Sequence, residues 1–347
     1  MKKSMLCLVT FILLGLLTQP VLGAETKVSS HEPFQIQFLA GRQDSAEFAL
    51  THGLSQIINK HSPWLRATVI ETPGMADNYQ LVAVKKELRP KAIICGVTSG
   101  GQLFSKTKAE GGFPWGPYTD ARFVARLNET IHTIVTLDEN IKTISDLKGK
   151  RLFEGRKTAT RFLDNEAIYK AAGIFDTLKL SYGGLGPAMT ALKDGLVDAA
   201  VALGIGPVDP TEWLPQGPLQ ELMATKKVYF VTYDKKSFEE AIKKDKICVS
   251  PVTYPPKVLG PTQTEPVIVK YDPLSLLADK TMSDDVVYEL LRIFDTHLKE
   301  LIDFTATAKW IKRENLGTSG YQTEKDYHPG AAKYFKEHKI PIRVNPW

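Results

Sequence analysis

FQIQFLAGRQDSAEFALTHGLSQIINK, residues 34–60, sets a strand against a helix across one turn. Phe34 to Leu39 alternates apolar and polar side chains, the period of a half-buried strand. Gly41-Arg42-Gln43 turns the chain. From Asp44 to Lys60, Phe48, Leu54, Ile57 and Ile58 recur at helical spacing, and Asp44 with Glu47 three residues on has the form of a capping box. Downstream the alternation repeats. Ala67 to Glu71 reads as a strand closed by Pro73-Gly74, Asn78 to Lys86 as a helix, and Ala92 to Cys95 as a third strand. A β-α-β-α-β order predicts a mostly parallel sheet flanked by helices.

Further along, Gly111 to Tyr118 is a loop by its Pro114, Gly116 and Pro117. Ile131 to Thr136 (IHTIVT) is a strand, Ser145 to Lys150 a short helical turn ending in Gly149, and Leu152-Phe153 opens another strand. Gly155 to Thr160 leads into a helix ending at Gly173; Met189 to Lys193 is helical and Asp198 to Leu203 a strand. A second β/α unit thus spans roughly residues 137–252. Pro266 to Tyr271 (PVIVKY) is a strand, and Ser283 to Ile302 a long amphipathic helix capped by Ser283, with Asp284 and Asp285 at its positive end. Spacing alone leaves open whether the two units are tandem or interleaved.

The N-terminus and the composition bound the compartment and the class. Lys2 and Lys3, the apolar run Met5 to Leu17, Pro20 and the small residues before Ala24 form the three parts of a secretory leader over residues 1–24, cleaved near Gly23/Ala24. That leader implies a soluble, exported, periplasmic protein. No later stretch is long and apolar enough for a membrane span. The net charge of +5 is spread among both signs, which argues against a nucleic-acid partner. Cys95 and Cys248 remain after cleavage; Cys95 sits in an apolar run and reads as a buried thiol, with a disulfide as the alternative. The seven histidines show no His-x-x-x-His metal pair, and neither a Gly-x-Ser-x-Gly elbow nor a phosphate-cradling Gly-x-x-x-x-Gly-Lys loop is present. The expectation is a binding protein, not an enzyme, with no cofactor and no metal.

Four segments resemble one family. They are LSQIINKHSPWLRATV (54–69), the stretch 131–173 with IHTIVT, ISDLKGKRL and AIYKAAGI, ALKDGLVDAAVA (191–202) and, most specific, YHPGAAKYF (327–335). Together they are similar to the TAXI family, substrate-binding proteins of tripartite ATP-independent periplasmic (TRAP) transporters, from Phe34 to about Ile342. The resemblance implies the type II periplasmic binding fold, an α/β architecture of two lobes with lobe two (136–255) inserted into lobe one (30–135 and 256–347). IHTIVT and PVIVKY would be the two crossing strands of the hinge. It also implies a monomer that closes on a small ligand and hands it to a membrane permease. An ABC importer or a receptor kinase are the alternative partners.

The ligand loops depart from the family. Its glycine-rich run after the first strand is here Ala40-Gly41-Arg42-Gln43-Asp44-Ser45, and its Gly-Ser-Gly-Thr loop is Gly155-Arg156-Lys157-Thr158-Ala159-Thr160. Binding an anion calls for helix N-termini, hydroxyls and a few cations. The candidate ligand contacts are therefore Gly41, Arg42, Gln43, Asp44 and Ser45 after the first strand, Asn78 on the second helix, and Thr98 and Ser99 after the third strand. Arg156, Thr158, Thr160 and Arg161 in the second unit join them, and the resemblance adds Asn128 before the hinge, at a family position near the ligand, and matches Arg161 to the Arg after the family's Thr. Each has a plainer reading: Arg42 as a turn residue, Thr158 and Thr160 as caps, Arg161 as the partner of Asp164 or Glu166. Arginines in place of glycines favour an organic anion: a dicarboxylate, a keto acid or an acidic amino acid.

Overall fold

The computed structural model describes residues 31–43, 45–98, 118–157, 160–207, 209–319 and 323–344. The leader, the stretch 111–117 and the candidates Asp44, Ser99 and Thr158 lie outside the described residues.

β1 (Phe34–Leu39) forms over the alternating stretch, with Ile36 and Phe38 wholly buried. α1 (Ala46–His61) follows, but its cap is Ser45 rather than the expected Asp44. Ser45 has the extended backbone of a cap, and its hydroxyl accepts from the Phe48 N–H at 3.2 Å. β2 (Leu65–Ile70), α2 (Met75–Val84) and β3 (Ala92–Thr98) complete the first set. α2 starts three residues earlier than its hydrophobic pattern suggests. Gly74, at φ +150°, takes the backbone turn before it, a conformation that L side chains rarely adopt.

The chain then runs into β4 (Ala121–Thr136), 16 residues long, of which IHTIVT is only the end. The earlier part carries Arg126, Asn128 and Glu129. Its Arg126 and Glu129 pair with each other, Nε to Oε1 at 2.7 Å, and both are buried. β5 (Arg151–Glu154), α3 (Thr160–Ala171), β6 (Lys179–Tyr182), α4 (Leu185–Lys193), β7 (Ala199–Gly206), β8 (Leu214–Pro215), α5 (Gly217–Thr225), β9 (Tyr229–Val231), α6 (Lys235–Asp245) and β10 (Ser250–Tyr254) follow. β11 (Val267–Asp279) is the second long strand.

The helix expected over 283–302 is two helices, α7 (Asp284–Thr296) and α8 (Leu298–Phe304). His297 leaves the helical path (φ −112°, ψ 22°) and stacks on His61 with ring centroids 3.6 Å apart. Ser283 occupies the cap position through its backbone: its carbonyl accepts from the Val286 and Val287 amides, while its side chain makes no capping bond. α9 (Pro329–Glu337) starts as read, with Pro329 in its first turn and the His328 ring nitrogen accepting from the Gly330 N–H at 3.2 Å. β12 (Thr318–Ser319) and β13 (Arg343–Val344) form a small separate pair.

The main sheet is mixed, in the order β2-β1-β3-β11-β4-β7-β5-β6. β2-β1-β3 and β7-β5-β6 are parallel, as their βα connections require; every pair made by β4 or β11 is antiparallel. The hydrophobic core divides across these two long strands. One cluster draws on residues 36–127 and 274–340. Two others draw only on residues 131–271. The chain therefore leaves the first core along β4 and returns to it along β11. Cys95 and Cys248 are both buried free thiols.

Candidate functional site

A cavity of about 220 Å³ opens between the parts of the fold served by these separate cores. Its walls are the first turns of five helices. Ser45 and Glu47 come from α1, Gly74 to Asp77 from α2, Arg161 from α3, Gly184 to Pro187 from α4, and Gln216 and Pro218 from α5. Helix N-termini carry free N–H groups and partial positive charge, so this convergence favours a negatively charged group. Arg42, Arg156 and Arg161 add three cations to the lining.

Arg161 is the most enclosed of them. Its helix neighbours are otherwise engaged: Glu166 with Lys170 at 2.7 Å and Asp164 with Lys270 at 3.5 Å. The Arg161 Nε is enclosed and has no hydrogen-bond partner among the described residues. Burial pulls the guanidinium below its ordinary value, an effect opposed by Glu154 and Glu47. Gly155 makes room for it, since a Cβ there would collide with the guanidinium. Beneath, Glu154 accepts from the Tyr169 hydroxyl at 2.6 Å and from the Asn165 amide at 3.2 Å. Burial pushes the Glu154 and Asp164 carboxyls up and the Lys270 ammonium down.

Glu47, from α1, is an acid of this wall, with Asp77 of α2. Burial raises the Glu47 carboxyl above the ordinary range, while its own backbone, Ser45 and Arg161 hold it down. Gly96, at φ +66°, accommodates it: a Cβ there would lie 2.7 Å from the Glu47 Cγ.

The floor is the face of the long strands. Thr130 and His132 project from β4 at alternate positions, beside Leu203 of β7 and Leu274 of β11. His132 pairs in register with Lys270 on one side and Leu203 on the other. Burial, with Lys270 and Arg161 adding to it, drives the His132 imidazole well below its ordinary value, so it is neutral.

Of the sequence-derived candidates, Gly41, Arg42, Ser45, Thr98, Arg156 and Arg161 line the cavity. Thr160 is the first residue of α3. Three others do not line the cavity. The Asn78 amide donates to the Leu39 carbonyl at 2.8 Å, and the Asn128 amide to the Thr307 carbonyl at 2.8 Å. Gln43 is exposed, and its N–H donates to Glu71. The candidate list missed Glu47, Asp77, Thr130 and His132. The signal for the last two was a threonine and a histidine on one face of a buried strand.

Away from the cavity, His61, His297 and Glu300 stand close enough to hold a cation. Glu300 is already shared by His61 at 2.7 Å and Lys60 at 2.7 Å. Among the described residues no helix is long and apolar enough to cross a membrane.

A family model described as NMT1-like matches residues 38–338. Among solved structures, one described as a periplasmic transporter aligns with a TM-score of 0.50 at 15% identity, covering 90% of this chain and 99% of the other. The malate-bound MatC of Rhodopseudomonas palustris aligns with a TM-score of 0.50 at 11% identity, covering 88% and 96%. A TctC solute-binding protein from Polaromonas gives a TM-score of 0.47 at 16% identity, covering 90% and 99%. At these identities the likeness is one of fold: an α/β protein with a curled mixed sheet, as in periplasmic binding proteins.

Proposed function

Because this chain belongs to the NMT1-like family, we propose that it is an extracytoplasmic solute-binding protein that captures a small organic anion and delivers it to a membrane transporter. The observation that carries this reading is Arg161, enclosed in the cavity wall with its Nε unpaired, among the first turns of five helices. A ligand carboxylate is the group such a wall lacks. In this reading the leader at 1–24 directs export, and the mature chain is a monomer of two lobes. The lobes hinge where β4 and β11 pass from one core to the other, and the protein is not an enzyme.

The segment 327–335 supports TRAP-type delivery of the TAXI class. His328 is fully buried, caps α9 and meets the Met282 carbonyl at 3.1 Å, so the HPGA residues knit the C-terminal helix to the first core. The ligand classes are dicarboxylates, keto acids and acidic amino acids, and the neighbour that holds malate agrees with that range. A thermal-shift screen of organic acids, amino acids, neutral sugars and cations tests the reading. Stabilisation by acids supports it; selective stabilisation by a sugar or a cation contradicts it. A gene for a multi-span TRAP permease beside this one would favour that partner over an ATPase-driven importer or a receptor kinase.

A further inference from the structure

We infer that Thr130 and His132 form an uncharged oxygen-recognition subsite on the cavity floor, and that the ligand is a hydroxy or keto acid rather than a plain dicarboxylate. This rests on the anion reading above. Both residues line the cavity while being almost fully buried, Thr130 3% and His132 2% exposed. Among the described residues, no protein group hydrogen-bonds to the Thr130 hydroxyl or to either His132 ring nitrogen. Three buried polar atoms facing one cavity without partners are uncommon in a native core, and a ligand that satisfies them gains accordingly.

The chemistry of the floor sets the kind of group that fits. A neutral imidazole offers one N–H donor and one lone pair, and a threonine hydroxyl can do either. Their positions alternate along β4, about 7 Å apart, so that one oxygen between them reaches both. A ketone oxygen would accept from both. A hydroxyl would accept from one and donate to the other. Leu203 and Leu274 complete the floor. A carboxylate set down there would meet apolar carbon and uncharged donors, whereas the guanidinium groups stand in the walls. The carboxylates are therefore held by Arg161, Arg156 and Arg42, and the oxygen between them by Thr130 and His132. A methylene in place of that oxygen leaves the floor groups unpaired, which is the basis on which enzymes reject substrates lacking one hydroxyl.

Matched acids test this by calorimetry on the mature protein: succinate, malate and oxaloacetate, then glutarate, 2-hydroxyglutarate and 2-oxoglutarate. The expected result is that, in at least one series, an oxygenated acid binds tenfold or more tighter than its plain counterpart. His132→Phe should abolish the preference, the ratio of the oxygenated to the plain acid's affinity falling to about one. Thr130→Val, a smaller change, should remove part of the preference and covers the case in which His132→Phe does not fold. A wild-type protein that binds the plain acids as tightly, or variants that keep the preference, would overturn the subsite while leaving the anion reading intact. A protein that binds none of the six acids but is stabilised by a sugar or a cation contradicts the anion reading, and this inference with it.

Discussion

The Lys270 ammonium, on the long strand β11, donates to the carbonyl oxygen of Arg161 at 2.8 Å. The same ammonium lies 3.5 Å from the Asp164 carboxylate, and both side chains are fully buried. The first turn of α3, which carries Arg161 into the cavity wall, is thereby tied to a strand that passes between the two cores. Removing one member of a buried pair leaves a charge without compensation, at a cost of about 3–5 kcal/mol. Lys270→Met should therefore lower stability by an amount of that order at pH 8, measured by chemical denaturation. Burial already holds the Asp164 carboxyl above its unfolded value. Between those two values the native state binds more protons than the unfolded state, so stability contributed by this group rises as pH falls. The deficit of Lys270→Met should accordingly shrink between pH 8 and pH 5. A deficit that is constant or grows would place the loss elsewhere.

Glu47 decides between two ligand types. Its carboxyl is held above the ordinary range by burial, in a wall that also carries Arg161. For a dicarboxylate or keto acid, the ionised Glu47 repels the ligand. Affinity should then rise as pH falls from 7 toward 5, and Glu47→Gln should tighten binding at pH 7 and flatten that dependence. An acidic amino acid would use Glu47 as the partner of its ammonium group, and both effects would reverse. Calorimetry at pH 5, 6 and 7 on the two proteins gives the sign.

Much of the frame was legible in the sequence, and the failures have identifiable causes. β1 was found to the residue because one of its faces is buried and the other is not, which writes the alternation into Phe34–Leu39. β4 was truncated because Arg126, Asn128 and Glu129 look solvent-facing in sequence and become buriable only through partners brought by the fold. α7 and α8 were fused because the break at His297 is made by stacking on His61, a residue 236 positions earlier. In the site, Gly41, Arg42 and Arg156 of the loops after β1 and β5 line the cavity; arginine and glycine mark such loops whatever the packing. Asn78 and Asn128 fall outside the cavity lining in a fold that turns their side-chain N–H groups onto the Leu39 and Thr307 carbonyls. Thr130 and His132 went unnoticed because a strand reading assigns residues to faces without saying which face meets the cavity.

Closure is the third expectation. The core changes identity along both β4 and β11, so those strands are where the chain would bend for the walls to meet. Small-angle scattering of the mature protein should show a smaller radius of gyration in saturating ligand than without it. An unchanged radius with a ligand shown to bind would contradict the hinge.

The most direct test of the central claim is Arg161→Ala, titrated by calorimetry with the acid that stabilises the wild-type protein most in the thermal-shift screen. Losing one partner of a desolvated charged hydrogen-bond pair costs on the order of 2–5 kcal/mol. At about 1.4 kcal/mol per tenfold, affinity should fall roughly thirtyfold or more. The melting temperature of the unliganded variant, measured alongside, separates loss of a ligand contact from loss of the guanidinium's interaction with Glu47 and Glu154. A variant that binds within about threefold of wild type would contradict the claim that an anion is held at this arginine.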